Sequence, residues 1–291
     1  MKYIQIIAAS VIWGSAYPFT KYLVGEVSPL TAVTLRTSIG ALVLLAASGV
    51  RFEPAGPRPR FFWKIFALSL LGVSVQQYVQ AYALRFTSAG HAGWLIVTIP
   101  IMVAAAMALL GERLGRHKAA ALALGSAGAL LVVFSGAPGP AGTAAAAMRA
   151  DMIFLISCLN WTGYVVLSRK WFSARSQAEI TSATMFTAML TLLAVWVVSG
   201  GAADLASLSF KGWLCAAYLG ALSSALAYTF WNNSVERLGP VTASYFIYLQ
   251  PFAAALSAYI FIGERPAPWA FAGGGLIMAG VYFVNMNGAR R

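Results

Sequence analysis

Two stretches of this chain read as copies of one another. The first runs from Ala83-Leu84-Arg85 through Pro100 to Gly111-Glu112-Arg113, the second from Val235-Glu236-Arg237 through Pro251 to Gly263-Glu264-Arg265. Arg85 precedes Arg237 by 152 positions and Glu112 precedes Glu264 by 152, while the two prolines are offset by 151. Between the landmarks each copy is an apolar run about as long as a membrane crossing. A second pairing lies upstream of each copy. Trp13-Gly14-Ser15 has Lys21 eight residues past its Trp, and Trp161-Thr162-Gly163 has Arg169 eight past its own. One unit of roughly half the chain is written twice, and a repeat of this kind determines the fold before any other feature does.

Of the 291 residues, 60% are hydrophobic and 10% charged, against about 25% charged in soluble domains. Crossing the hydrocarbon takes about 20 largely apolar residues. The chain divides into ten such runs: Ile4–Val24, Leu30–Val50, Ile65–Ala83, Ser88–Leu110 and Ala119–Ser135, then Met152–Leu167, Ile180–Ser199, Gly212–Val235, Val241–Ile262 and Trp269–Met286. Backbone groups in lipid must be satisfied within each segment, so the runs are read as helices. The expected fold is an all-α membrane protein of ten transmembrane helices. Residues 1–135 and 151–291 are the two repeats, and the Ala/Gly/Pro-rich 136–150 is a linker. The first run holds Trp13, Tyr17 and Pro18 and continues to Val24 without a small-x-small cleavage site, so it reads as a helix and not a signal peptide.

Charge sets the orientation. The N-terminus, even-numbered loops and C-terminus carry 14 of the 20 Lys and Arg (Lys2, Arg51, Arg58, Arg60, Lys64, Arg113, Arg116, Lys118, Arg169, Lys170, Arg175, Arg237, Arg290, Arg291). The opposite side carries five: Lys21, Arg85, Arg149, Lys211 and Arg265. The remaining one, Arg36, falls within the second run. By the positive-inside rule both termini are cytoplasmic. Five helices per unit is an odd number, so the second unit enters the bilayer inverted. Secondary transporters have this architecture, with a solute site near the midplane between the repeats. The formal charge of +12 sits in loops and forms no basic stripe, so nucleic acid is not an expected partner. Cys158 and Cys215 lie in apolar runs without CxxC or metal-ligand spacing, and no cofactor is indicated.

At these residues the chain resembles the drug/metabolite transporter superfamily, in particular its ten-helix EamA-type exporters. The likeness rests on Trp13-Gly14-Ser15…Lys21, on Arg36, and on Pro…Gly-Glu-Arg in both halves. It rests also on the glycine-rich last run, Gly273-Gly274-Gly275-Leu276-Ile277-Met278-Ala279-Gly280-Val281. The family often has Asn where this chain has Ala16. The resemblance implies a cavity between the first, third, fourth, sixth, eighth and ninth helices, with the fifth and tenth packed away from it. It extends to bacterial aromatic amino acid exporters.

Polar and aromatic residues inside the runs are the candidates for solute binding. The first helix aligns Trp13, Tyr17 and Lys21 at i, i+4, i+8, and the third carries Gln77, Gln80, Tyr78 and Tyr82. On the fourth, His91, Trp94 and Thr98 share a face. The sixth offers Asn160, Trp161 and Tyr164, the eighth Trp231 and Asn232, the ninth Ser244, Tyr248 and Gln250. The alternative is that amides join helices and aromatics form interface belts, but Tyr78, Trp94, Tyr164, Trp231 and Tyr248 lie well inside their runs. Pro100 and Pro251 are candidate hinges. Lys21 is expected to snorkel or to meet a substrate carboxylate; Arg36 is expected to snorkel or reach the Glu26 region.

An intramembrane enzyme would need a base, nucleophile or metal set. The chain has two histidines, His91 and His117, and neither HExxH nor HxxxxD. A scaffold or receptor would be expected to carry a partner domain or a large loop. The sequence therefore reads as a monomeric inner-membrane exporter of small metabolites, working by alternating access. Aromatic walls and amides with no mid-membrane counter-ion suit a net-neutral zwitterion, an aromatic or large neutral amino acid; amphipathic organic cations are the alternative. All eight carboxylates sit at run ends or in loops, so transport down the substrate gradient is expected, with His91-dependent proton coupling as the lesser option.

Overall fold

In the computed structural model the described residues are 3–48, 58–111, 144–173 and 175–264, with scattered positions between 115 and 128 and between 272 and 279. Most of the fifth run, most of the tenth, and Glu112, Arg113, His117 and Arg265 lie outside them. All regular structure among the described residues is helical. We number the helices α1 (Ile4–Glu26), α2 (Pro29–Ser48) and α3, whose consecutive segments are Arg58–Ser69, Leu70–Ser74 and Val75–Leu84. Then come α4 (Ala89–Leu109), α5 (Ala144–Phe172), α6 (Gln177–Val198), α7 (Phe210–Leu238) and α8 (Pro240–Ile262). Six of these are long and apolar enough to span a bilayer. Exposed Leu42, Leu109, Val198, Leu256 and Ile260 form the outward face that lipid would cover.

Helix α5 begins at Ala144, within the stretch expected to be linker. The tract Ala144–Ala147 is the reason, since alanine is the strongest helix former and overrides the turn signal of the glycines and prolines before it. Other boundaries follow capping chemistry. The Ser88 hydroxyl accepts from the His91 N–H to start α4, and Ser209 accepts from Gly212 to start α7. Gly239, at φ 81°, turns the chain from α7 into Pro240, the first residue of α8. Gly263, at φ 72°, closes α8 in the left-handed conformation. Arg85 donates to the Val24 and Val27 carbonyls and satisfies the end of α1.

Four helices are broken in midcourse, in matched pairs. A π-helical segment interrupts α3 at Leu70–Ser74, and another interrupts α7 at Tyr218–Leu226. The 152-residue offset carries the first onto positions 222–226, inside the second. In α4 the 3₁₀ turn Ile96–Thr98 precedes Pro100, and in α8 the 3₁₀ turn Tyr245–Leu249 precedes Pro251. Each proline sits at the start of the following α segment, where its missing N–H costs least. The break is thus in the 3₁₀ turn and not at the proline ring.

The two halves interlock. Helix α1 packs on α8 and α7, α2 on α7 and α6, α3 on α5, and α4 on α8 and α5. Small residues permit the closest approaches. A Cβ on Gly14 would come within 2.7 Å of the Ala253 Cβ, one on Gly93 within 2.6 Å of Ala254, and one on Gly40 within 2.7 Å of Ser224. Lipid offers no hydrophobic contrast between helices, so association depends on such backbone proximity.

Candidate functional site

Where the four broken helices meet α1, α2 and α5, they enclose a cavity. Its walls are Trp13, Ala16, Tyr17 and Thr20 of α1, Arg36 of α2, Gln76, Gln77 and Gln80 of α3, and Ile96 and Ile99 of α4. Trp161 of α5, Ser223 and Tyr228 of α7, and Ile247 and Gln250 of α8 complete them. Each broken helix contributes residues at or just past its irregular segment. Irregular backbone at membrane depth is tolerated where it lines a cavity, and π segments recur at functional sites. The space measures about 50 Å³, room for a few waters, whereas ligand pockets span roughly 300–1,000 Å³. The walls must part to admit a solute.

Trp13 is the centre of the ring cluster. It meets Trp161 and Tyr228 edge-on at 5.1 and 5.3 Å and lies 5.3 Å from Trp231. Its indole N–H donates to the Ser223 carbonyl at 2.9 Å. The same Ser223 accepts from Arg36 Nη2 on its hydroxyl at 3.0 Å, and Ser224 accepts from Arg36 Nε at 3.2 Å. Arg36 is only 5% exposed, and no carboxylate of a described residue pairs with it. It neither snorkels nor reaches Glu26, whose carboxylate is held by the backbone N–H and hydroxyl of Ser209. The expectation of a cavity without a fixed charge is corrected accordingly: Arg36 supplies a positive one. Its long stem reaches the cavity because Gly40, one turn on, brings α2 against the π segment of α7.

The expected site residues separate into groups. Trp13, Tyr17, Gln77, Gln80, Trp161 and Gln250 line the cavity. Tyr17 donates to Gln250 Oε1 at 3.3 Å, and Gln77 Nε2 donates to the Tyr228 hydroxyl at 2.9 Å. Trp231 and Tyr164 stand behind that wall, Trp161 lying 5.7 and 5.1 Å from them. Asn232 is spent on structure, donating to Tyr164 at 2.9 Å and Thr181 at 2.6 Å. Ser244 bonds back to the Val241 carbonyl, and Tyr248 is fully buried nearby. Trp94 packs edge-on against Phe252, and Asn160 is half-buried outside the lining. Tyr78 and Tyr82 are 40% and 38% exposed on the outer surface, Tyr78 lining an apolar side groove with Leu70, Val75 and Leu192. Gln77 and Tyr78 are consecutive in the α segment Val75–Leu84, so they point about 100° apart, and Tyr78 and Tyr82, four residues apart, share the face away from Gln77 and Gln80. Tyr228, Gln76, Thr20, Ser223 and Arg36 are the polar lining residues that the candidate set omits.

At one end of the bundle an ion pair joins the two halves. Lys21 Nζ lies 3.0 Å from Glu264 Oε1 and also donates to the Thr87 carbonyl at 2.9 Å. Glu264 in turn accepts from the Ala89 and Gly90 N–H groups at the start of α4, where a carboxylate complements the helix dipole. Lys21 therefore has a protein partner one turn beyond Tyr17. At the same end His91 Nε2 lies 3.2 Å from Asp151 Oδ2, outside the cavity wall.

The sequence matches the model of the EamA-like transporter family over residues 1–134 and 148–286. Among similar proteins, a probable terminal-alkyne amino-acid exporter of Streptantibioticus cattleyicolor is 26% identical, covering 96% of this chain and 92% of that protein. Protein PecM of Dickeya dadantii is 27% identical over 88% and 82% of the two chains. An uncharacterized transporter of Archaeoglobus fulgidus is 26% identical over 94% and 93%. A solved crystal structure superposes with a TM-score of 0.72 at 19% identity, covering 98% of this chain and 96% of that one, which establishes a shared fold. The chain is a multi-pass membrane transporter and belongs to the EamA-like transporter family.

Proposed function

We propose that this protein exports aromatic or large neutral amino acids across the inner membrane by alternating access, with both termini cytoplasmic. The observation that carries the reading is the ring-walled cavity at the junction of the two halves, where Trp13, Tyr17, Trp161 and Tyr228 meet. Aromatic faces stack on planar or branched side chains and attract an ammonium group, each contact worth roughly 0.5–1.5 kcal/mol. The similarity to an amino-acid exporter supports the substrate class. Organic cations fit less well, since a cation among these rings would meet Arg36. Among the described residues no Asp, Glu or His lines the cavity, which supports transport down the substrate gradient. The end joined by Lys21 and Glu264 is then the non-cytoplasmic one.

Flux of labelled phenylalanine in proteoliposomes tests the reading. Unlabelled Phe, Trp, Tyr, Leu and Met should inhibit, and sugar phosphates should not. No phenylalanine flux, or inhibition by organic cations alone, refutes it. A pH gradient should leave the rate unchanged; proton-driven accumulation lost in His91→Gln would instead assign coupling to the His91–Asp151 pair.

A further inference from the structure

We propose that Arg36 and Gln77 are a matched pair of sites for the two charges of an α-amino acid, Arg36 holding the carboxylate and Gln77 Oε1 the ammonium. The inference rests on the amino-acid reading above and makes it specific. On the anionic side, Arg36 is a buried guanidinium in the cavity wall whose bonds go to two serine hydroxyls. Those bonds use two of its five N–H donors. Serine hydroxyls orient the fork without neutralising it. A charge at membrane depth is costly, and residues of this kind mark substrate pathways and pair with an opposite charge. A carboxylate matches the planar fork bidentately.

The ammonium side follows from hydrogen-bond bookkeeping. The Tyr228 hydroxyl donates its single proton to the Gly72 carbonyl at 2.6 Å. Its oxygen therefore faces Gln77 as an acceptor, which forces the Gln77 amide to present Nε2 there, at 2.9 Å. Gln77 Oε1 is left as an acceptor, buried and without a hydrogen-bond donor, in a side chain 3% exposed that lines the same cavity. A buried carbonyl oxygen left unpaired costs free energy that an ammonium N–H would recover. Ser223 ties this arrangement to the rings, since it bonds both Arg36 and the Trp13 indole. The zwitterion's two ends and its side chain thus have separate partners around one space.

Counterflow of labelled L-phenylalanine, with competition by phenethylamine (no carboxylate) and 3-phenylpropionate (no ammonium), tests the pair. In the wild-type protein L-phenylalanine should compete at least about tenfold better than either analogue, as expected for losing a hydrogen bond to a charged group. Arg36→Gln should abolish the preference over phenethylamine, and Arg36→Lys should retain part of it. Gln77→Leu should abolish the preference over 3-phenylpropionate and keep that over phenethylamine. Wild-type preferences persisting in Arg36→Gln or Gln77→Leu, with exchange intact, overturn this inference and leave the export reading standing. No phenylalanine exchange by the wild-type protein overturns both. Should Arg36→Gln yield no monodisperse protein, the Arg36→Lys and Gln77→Leu ratios decide the matter.

Discussion

Individual side chains here divide between those that face the cavity and those that merely lie at its depth. Trp13 and Trp161 touch at 5.1 Å in the wall, so Trp13→Ala should raise the KM for phenylalanine about three- to tenfold, the worth of one ring contact. Tyr78→Ala should change it less than about twofold, because Tyr78 lines a separate groove. A KM series on purified, equally reconstituted variants checks both. Asp204 is a different case, lying outside the membrane-spanning segments. It accepts from the Ser28 N–H at 3.0 Å and the Thr31 hydroxyl at 2.6 Å. These bonds, first to Ser28 and then to Thr31, hold its carboxyl below the usual carboxylate range. A depressed folded-state value means that the stabilisation is present above about pH 4 and is lost as pH falls through that value. Asp204→Asn should therefore lower Tm at pH 7 by about 2–4 °C, and the difference from wild type should shrink in acid. An equal difference at both pH values would remove the carboxylate from the account.

Among the helices, the four broken ones line the cavity, and the Lys21–Glu264 ion pair joins the halves at one end of the bundle. Glu264 bridges Lys21 of α1 and the first N–H groups of α4, so its charge joins three helices from both halves. Removing it in Glu264→Gln should loosen that junction. A cysteine at Thr20, which lines the cavity next to Lys21, reports the change when Cys158 and Cys215 are replaced by Ser. Labelling by an impermeant maleimide from the non-cytoplasmic side should rise at least about threefold, the shift produced by roughly 0.7 kcal/mol. Lys21→Glu combined with Glu264→Lys should restore part of the protection, since the pair is re-formed even though the α4 N-terminus then faces a cation. Unchanged labelling in Glu264→Gln would make the ion pair ornamental to closure.

At the level of the whole molecule, interlocked halves mean that neither can move without reshaping the shared cavity. Its volume of about 50 Å³ is below the roughly 300–1,000 Å³ of ligand pockets, so the alternating access proposed above requires the walls contributed by the two halves to part. The paired 3₁₀ turns before Pro100 and Pro251 interrupt the α-helical hydrogen bonding at matched positions in the two halves and are our candidates for the bending segments. Orientation is checked independently. A single cysteine at Ala203, in the turn Gly201–Ser207 between α6 and α7, should react with impermeant reagent from the non-cytoplasmic side. Protection there would reverse the topology and exchange the roles of the two ends.

The sequence by itself determined the membrane class, the duplicated unit and its period. It also pointed to six of the fifteen lining residues: Trp13, Tyr17, Gln77, Gln80, Trp161 and Gln250. These were legible because hydropathy and repeat offset are properties of the chain, independent of its packing. Only the tertiary structure decided which face of each helix turns inward. Regular spacing separates Tyr78 and Tyr82 from Gln77 and Gln80 around the segment Val75–Leu84, but which of those faces turns inward is set by how that segment packs on α1 and α5. Arg36 could be placed only once α2 was seated on α7, because a lone charge in an apolar run is compatible with either end of its helix until the neighbour that receives it is known.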